Sequence, residues 1–168
     1  MLTSHELFGF MSPALADDIL SFARESDRPT YKATMNGVAN ALRVRPVYLE
    51  RQPRTQRHAS MVHVLAKPGL DVVAGGLLRA WLVQKHKAML IDFLNALGIQ
   101  NNEGVVDDLP ESVADDKLKS AVDILLSKYS PEVVTVYLNA FNEMNEANWA
   151  NLKMMLESDS RLQLGSSA

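Results

Sequence analysis

The stretch that most constrains the fold lies between residues 70 and 97. Of these 28 residues, 18 are apolar. Charged side chains interrupt the run, among them Lys85, Lys87 and Asp92. Since a membrane span needs about 18 to 20 consecutive apolar residues, the pattern predicts a long helix in a protein core. Gly98 suits the left-handed position that follows a helix, and Ile99 can fold back onto the last turn.

Serine–proline pairs mark helix starts elsewhere in the chain. Ser12-Pro13 and Ser130-Pro131 each offer a capping hydroxyl before a residue that is pre-set for the first helical turn. Residues 132 to 141 contain valine, threonine and tyrosine, which also favour strands, but their apolar spacing and the preceding cap favour a helix. No long alternation of apolar and polar residues indicates a strand.

These signals predict an all-α, single-domain bundle of about six or seven helices around a long central helix at about residues 70 to 97. The domain is expected to cover residues 1 to 157, and residues 158 to 168 are expected to be a frayed tail. With 168 residues, of which 47% are hydrophobic and 22% charged, the chain has the composition of an ordinary globular protein.

The sequence contains no cysteine, which excludes disulfides, thiolate metal sites and cysteine nucleophiles. The first 18 residues lack a basic segment before the apolar ones, so a secretory signal is not expected. We therefore expect a cytoplasmic protein with no membrane partner.

Charge is distributed unevenly along the chain. Residues 1 to 98 carry 12 basic and 8 acidic side chains, whereas residues 99 to 168 carry 5 basic and 12 acidic ones. This asymmetry can steer an anionic partner to one end of the molecule, or it can let two subunits attract each other.

Familiar catalytic and metal-binding motifs are missing. Gly75-Gly76 is followed by neither a dinucleotide fingerprint nor a phosphate loop, and the sequence HELFG at residues 5 to 9 lacks the second zinc histidine. We accordingly predict no catalytic residue, no metal ligand and no cofactor. His86 falls on an apolar stripe, where a core histidine is expected; a small-ligand site or an enzyme centred on His86 is the alternative.

Residues 37 to 58 form the most basic segment, with five arginines and a single acid, Glu50. Its cationic side chains are candidates for binding a nucleic acid or another anion: Arg43, Arg45, Arg51, Arg54, Arg57 and His58. Arg51, Arg54 and His58 lie at positions i, i+3 and i+7, so a phosphate or carboxylate could occupy a row of these three.

Residues 38 to 54 resemble the middle of a repressor-type helix-turn-helix. The resemblance implies that the packing positions are Ala39, Leu42 and Val44. It also implies a second helix that opens at Pro46 and presents arginines to phosphates or base edges. Two positions depart from the family: Arg43 stands where the turn usually carries glycine, and Pro53 shortens the second helix.

A simpler interpretation of the same segment is two short amphipathic helices, at about residues 46 to 52 and 54 to 66. In the second helix, Met61, Val62 and Leu65 would face inward, while Arg54 and Arg57 would face water. Arginine stems cover apolar surface well, so this interpretation requires no ligand.

The aromatic residues of the C-terminal part favour a core, and a contact surface is the alternative interpretation for three of them: Tyr137, Phe141 and Trp149. The leading functional hypothesis is a non-enzymatic helical interaction or scaffold domain that associates with itself or another protein. Nucleic-acid binding through residues 38 to 57 is the alternative.

Overall fold

The computed structural model describes residues 1 to 165, and this part of the chain is all-α. It contains ten α-helices and two 3-10 turns, with no strand apart from one isolated bridge between Asn102 and Val105. The all-α prediction is confirmed, with ten helices in place of the expected six or seven. The chain divides into two compact units: residues 2 to 81, and Met1 together with the chain from residue 82 onward. The predicted domain bounds stay a prediction.

The first unit contains five complete helices and most of a sixth: α1 (Ser4–Phe10), α2 (Pro13–Ser26), α3 (Arg28–Leu42), α4 (Pro46–Glu50), α5 (Arg54–Leu65) and α6 (Asp71–Lys85). As predicted, Ser12 caps α2, because its hydroxyl accepts a hydrogen bond from the Leu15 N–H at 3.2 Å. Asp27 ends α2 and also begins α3, where its carboxylate accepts from the Thr30 N–H and hydroxyl.

The core of the first unit joins α1, α2, α3, α5 and α6. Its fully buried apolar side chains include Leu7, Ile19, Leu20, Val38, Leu49, Met61, Leu65, Ala74 and Trp81. Gly37 allows α3 to approach α6 closely, because a Cβ atom at this glycine would lie only 3.0 Å from Val73 Cγ2.

The second unit contains four further helices: α7 (Lys87–Ala96), α8 (Asp115–Lys128), α9 (Pro131–Asn145) and α10 (Ala150–Ser158). Residues 97 to 114 connect α7 to α8 without a helix, and α7 and α8 pack against each other. The helix predicted at residues 132 to 141 is confirmed as part of α9. Trp149, Leu152 and Leu156 are buried near the C-terminus.

The stretch from 70 to 97 is helical but not one continuous helix. The chain turns at His86, whose φ of −113° and ψ of 28° separate α6 from α7, whereas Gly75 and Gly76 lie inside α6 without breaking it. Gly98 has the predicted left-handed conformation, with φ of 70°. No single helix among the described residues is long and apolar enough to cross a membrane; Arg54–Leu65 and Pro68–Lys85 meet that test only as a pair bent by 100°.

The expected frayed tail is ordered through at least Gln163. Leu162 is buried within a 3-10 turn at Ser160–Leu162, and the Arg161 guanidinium contacts the carboxylates of Asp123 and Asp159 at 3.0 and 2.8 Å. These contacts hold a segment that composition alone suggested to be loose. The last three residues of the predicted tail, 166 to 168, lie outside the described residues.

Candidate functional site

The turn between α3 and α4 has the backbone geometry of a helix C-cap. Arg43 is left-handed, with φ of 58° and ψ of 41°. Its N–H donates to the Asn40 carbonyl at 3.1 Å, and the Val44 N–H donates to the Ala39 carbonyl at 3.0 Å. These two bonds form a Schellman motif, in which glycine is the usual left-handed residue. Arg43 therefore adopts the conformation for which the helix-turn-helix family uses glycine.

The packing positions and the second helix that the helix-turn-helix resemblance implies are present only in part. Ala39 is buried as the resemblance implies, but Leu42 is 40% exposed and does not pack inward. The second helix, α4, has only five residues, which corresponds to about 7.5 Å of helix at 1.5 Å per residue. So short an element presents fewer than two turns to a groove.

Apolar and basic side chains share the surface around this turn. Leu42, Val47 and Tyr48 are exposed by 40%, 43% and 57%, and three arginines beside them in the sequence are also exposed: Arg43, Arg45 and Arg51. None of these arginines forms an ion pair with another described residue. We call these six residues the 42–51 surface.

Arg57 and His58 do not belong to that surface, which corrects the predicted six-residue basic site. Arg57 is only 6% exposed and His58 only 3%. The inward stripe of α5 includes Met61, Val64 and Leu65, and helical periodicity places residues 57 and 58, four and three positions before Met61, on the same side. Arg57 Nη1 donates to the Glu50 carbonyl at 3.2 Å, and Nε has no partner among the described residues.

Asp17 contacts two of the three residues in the predicted row, Arg54 and His58. Arg54 Nη2 donates to Asp17 Oδ2 at 3.1 Å and to the Ser21 hydroxyl at 2.5 Å. His58 Nδ1 lies 2.8 Å from the other Asp17 oxygen, and His58 Nε2 lies 3.4 Å from the Tyr31 hydroxyl. Sequence reasoning missed Asp17, because it lies on α2, 37 residues before Arg54, and carries no local signal of this contact.

Burial and hydrogen bonding shift the pKa values of Asp17 and His58. The hydrogen bond from His58 lowers the pKa of Asp17 below its ordinary value, and Arg54 adds to this effect. Burial lowers the pKa of His58, although its bond to Asp17 opposes that change. The expected result near neutral pH is an ionised Asp17 beside a neutral His58.

Tyr137, Phe141 and Trp149 lie in the core, so the predicted contact surface at these residues is wrong. They are exposed by only 1%, 1% and 2%. The Phe141 ring centroid lies 5.9 Å from that of Tyr137 and 5.1 Å from that of Trp149, and Phe93 completes the cluster at 5.3 Å from Phe141. Aromatic rings packed on one another in this way have no free face for a partner.

The segment before α8 and the first turn of this helix are acidic and exposed. Four carboxylates there are exposed and form no ion pair with another described residue: Asp107, Asp108, Glu111 and Asp116. We call these four residues the acidic loop. Asp115, next to Asp116, accepts a hydrogen bond from Asn151 Nδ2 at 2.9 Å.

His86 occupies the corner between α6 and α7 and is half-buried. A cavity of about 550 Å³ beside this corner is lined by Val83, Gln84, Lys87 and residues of the following loop, but not by His86. The hypothesis of a site centred on His86 stays a prediction. Among residues 1 to 165, no three His, Asp or Glu side chains are grouped so as to hold a metal ion.

Comparisons of the chain with protein-family models, with curated proteins and with solved structures gave no match.

Proposed function

We propose that this protein is a non-enzymatic interaction domain that associates with itself, and that its 42–51 surface contacts the acidic loop of a second copy. The observation that supports the proposal is the exposure of Leu42, Val47 and Tyr48 among arginines that form no ion pair with another described residue. Tyrosine and arginine are enriched at the energetic centres of protein interfaces.

A protein partner fits this surface better than a nucleic acid does. Three of its six side chains are apolar or aromatic, and the helix that carries Val47 and Tyr48 has only five residues. Arg54, which the helix-turn-helix resemblance offered to phosphates, is already paired with Asp17. Affinity for a nucleic acid depends on many phosphate contacts, and the surface provides three arginines.

A second copy of the chain supplies the complementary charge. Two 42–51 surfaces facing each other would place like charges together, which opposes association. The acidic loop instead offers four exposed carboxylates to the three arginines. If each copy gives its basic surface to the acidic loop of another, this contact joins copies of the chain.

Sedimentation equilibrium at protein concentrations from 5 to 500 μM tests the proposal. At about 50 mM salt we expect the average mass to rise above the 18.6 kDa of one chain, and to fall again at about 300 mM salt because exposed charges are screened. Arg45→Glu/Arg51→Glu should weaken association at least tenfold, and Tyr48→Ser should weaken it without changing the charge.

Lys32→Glu/Arg79→Glu is the matched control, because Lys32 on α3 and Arg79 on α6 are exposed and the double substitution makes the same change in net charge. It should leave association close to that of the wild type. A strict monomer at every concentration, or equal effects of the control and of the substitutions at positions 45 and 51, would contradict the proposal.

Nucleic-acid binding is the second candidate, favoured by three arginines that form no ion pair with any residue in the described part of the chain. Fluorescence anisotropy of a labelled random DNA duplex at about 50 and 200 mM salt decides the question. Binding that falls steeply with salt and disappears in Arg45→Glu/Arg51→Glu would favour this candidate over self-association.

A further inference from the structure

A groove of about 800 Å³ lies between α1, α2 and α5 in the first unit. One face of α5 forms a wall through residues at helical spacing: Arg54, Thr55, His58, Ala59, Val62 and His63. Helix α1, the turn after it and the start of α2 supply the opposite wall. Grooves of this size accommodate small organic ligands.

Arg54 has unused hydrogen-bonding capacity in this groove. Its Nη2 donates to Asp17 and Ser21, whereas no described residue accepts from its Nε or Nη1. A guanidinium carries five N–H donors in a planar fork that matches a carboxylate. Thr55, one residue further along α5, adds an exposed hydroxyl. The first turn of α5 also has no side-chain cap, so its partial positive charge adds to the potential of the same wall.

Asp17 does not turn the groove into a cation site. Each of its two oxygens already accepts a hydrogen bond, one from His58 and one from Arg54. Its charge is therefore offset by the guanidinium that would also contact a ligand. The unused polar groups at this end are donors, and donors require a ligand that is rich in acceptors.

The wall opposite α5 is apolar apart from Asp17, whereas α5 also contributes the polar side chains of His58 and His63. Phe8, Met11 and Pro13 line the groove opposite Val62, and none of these four side chains carries a polar atom that could bind a second charge. An entirely hydrated ion such as phosphate would leave this wall in water, whereas a ligand with a hydrocarbon body would cover it.

We propose that this groove binds a small amphipathic carboxylate, with the carboxylate held by Arg54 and Thr55 and the apolar body against Phe8, Met11 and Val62. The site is separate from the 42–51 surface and does not depend on self-association.

Isothermal titration calorimetry with octanoate, octanol and acetate tests the site on the full-length protein. Octanoate should bind at least tenfold more tightly than acetate, because the added methylene groups are worth up to about 0.8 kcal/mol each when buried. It should also bind at least tenfold more tightly than octanol, which lacks the charge that Arg54 recognises.

Two variants separate loss of the site from loss of the fold. Arg54→Gln should weaken octanoate binding about tenfold, but it also removes a partner of Asp17. Ala59→Trp keeps Arg54 and fills the groove from an exposed position on α5, so it should abolish binding while circular dichroism stays unchanged. Arg45→Gln, on the 42–51 surface, is the control and should bind octanoate like the wild type. Equal affinities for octanoate and octanol, or unchanged octanoate binding in both groove variants, would overturn the proposal.

Discussion

Arg43 adopts a backbone conformation that is unfavourable for a residue with a Cβ atom, since its φ is 58°. Its side chain is exposed and makes no ion pair with another described residue that would compensate this strain. The sequence showed the departure from glycine at this turn but not its outcome. The structure shows that the turn is left-handed at this position and that Arg43 adopts the strained backbone conformation.

We expect Arg43→Gly to raise the free energy of unfolding by about 0.5 to 1 kcal/mol, because glycine adopts the left-handed region without strain. Urea denaturation measures the difference. Arg45→Gly is the control: Arg45 is extended, with φ of −77°, so glycine there should not stabilise. A lower unfolding free energy for Arg43→Gly would contradict the expectation.

The stability of the first unit should decrease as the pH falls, because burial depresses the pKa of His58 in the folded state. The unfolded chain, with an ordinary histidine pKa of about 6.5, then binds a proton more readily than the folded one. Stability is therefore complete above the unfolded pKa and is lost as the pH falls below it. Urea denaturation at pH 7.5, 6.5 and 5.5 follows the change.

His63→Gln and His58→Gln provide the comparison for this pH dependence. His63 is exposed, so its replacement should leave the pH profile close to that of the wild type, whereas His58→Gln should flatten the profile between pH 7.5 and 5.5. A wild-type stability that rises on acidification would show that Asp17 outweighs burial at His58.

Helices with clear end signals were the elements that the sequence predicted best. Ser12-Pro13 and Ser130-Pro131 gave correct starts because their effect is local, although only Ser12 forms a side-chain cap bond. Helix α1 was missed although Thr3 and Glu6 form a capping box that is legible in the sequence. The turn at His86 has no comparable signal: no proline or glycine marks it, and the apolar residues continue on both sides.

The aromatic cluster that α9 builds should make a large contribution to stability. Phe141 contacts Phe93, Tyr137 and Trp149, so Phe141→Ala would leave a cavity and should lower the free energy of unfolding by about 3 to 5 kcal/mol. Ile124→Ala on α8 is the control, because Ile124 is 38% exposed and should cost much less. A loss below about 1 kcal/mol at Phe141 would contradict its position in the core.

At the scale of the whole molecule, the sequence revealed the charge asymmetry but not which charges are available. Five arginines between residues 37 and 58 looked equivalent. Tertiary packing then buried Arg57 and paired Arg54 with Asp17. The remaining three became part of the 42–51 surface. Pairings between distant helices depend on the full fold, and local spacing does not encode them.

Two variants, each with reversed charges on one of the two proposed surfaces, should lose association when alone and regain it when mixed. Arg45→Glu/Arg51→Glu and Asp107→Lys/Asp108→Lys should each be weaker than wild type, whereas an equimolar mixture of the two variants should form a heterodimer through the reversed pair. Sedimentation velocity with one variant fluorescently labelled measures the mixed species. A mixture that stays as weak as the separate variants would mean that the two surfaces do not meet.

Helix α6 runs through the boundary between the two compact units: residues 71 to 81 belong to the first, and residues 82 to 85 to the second. Each backbone bond of a helix links residues four apart, so the amides just after the boundary are protected by carbonyls before it. These amides consequently exchange slowly only while α6 is intact on both sides of residue 81. A chain cut between residues 81 and 82 would lose the hydrogen-bonded ladder that forms the last turn of α6.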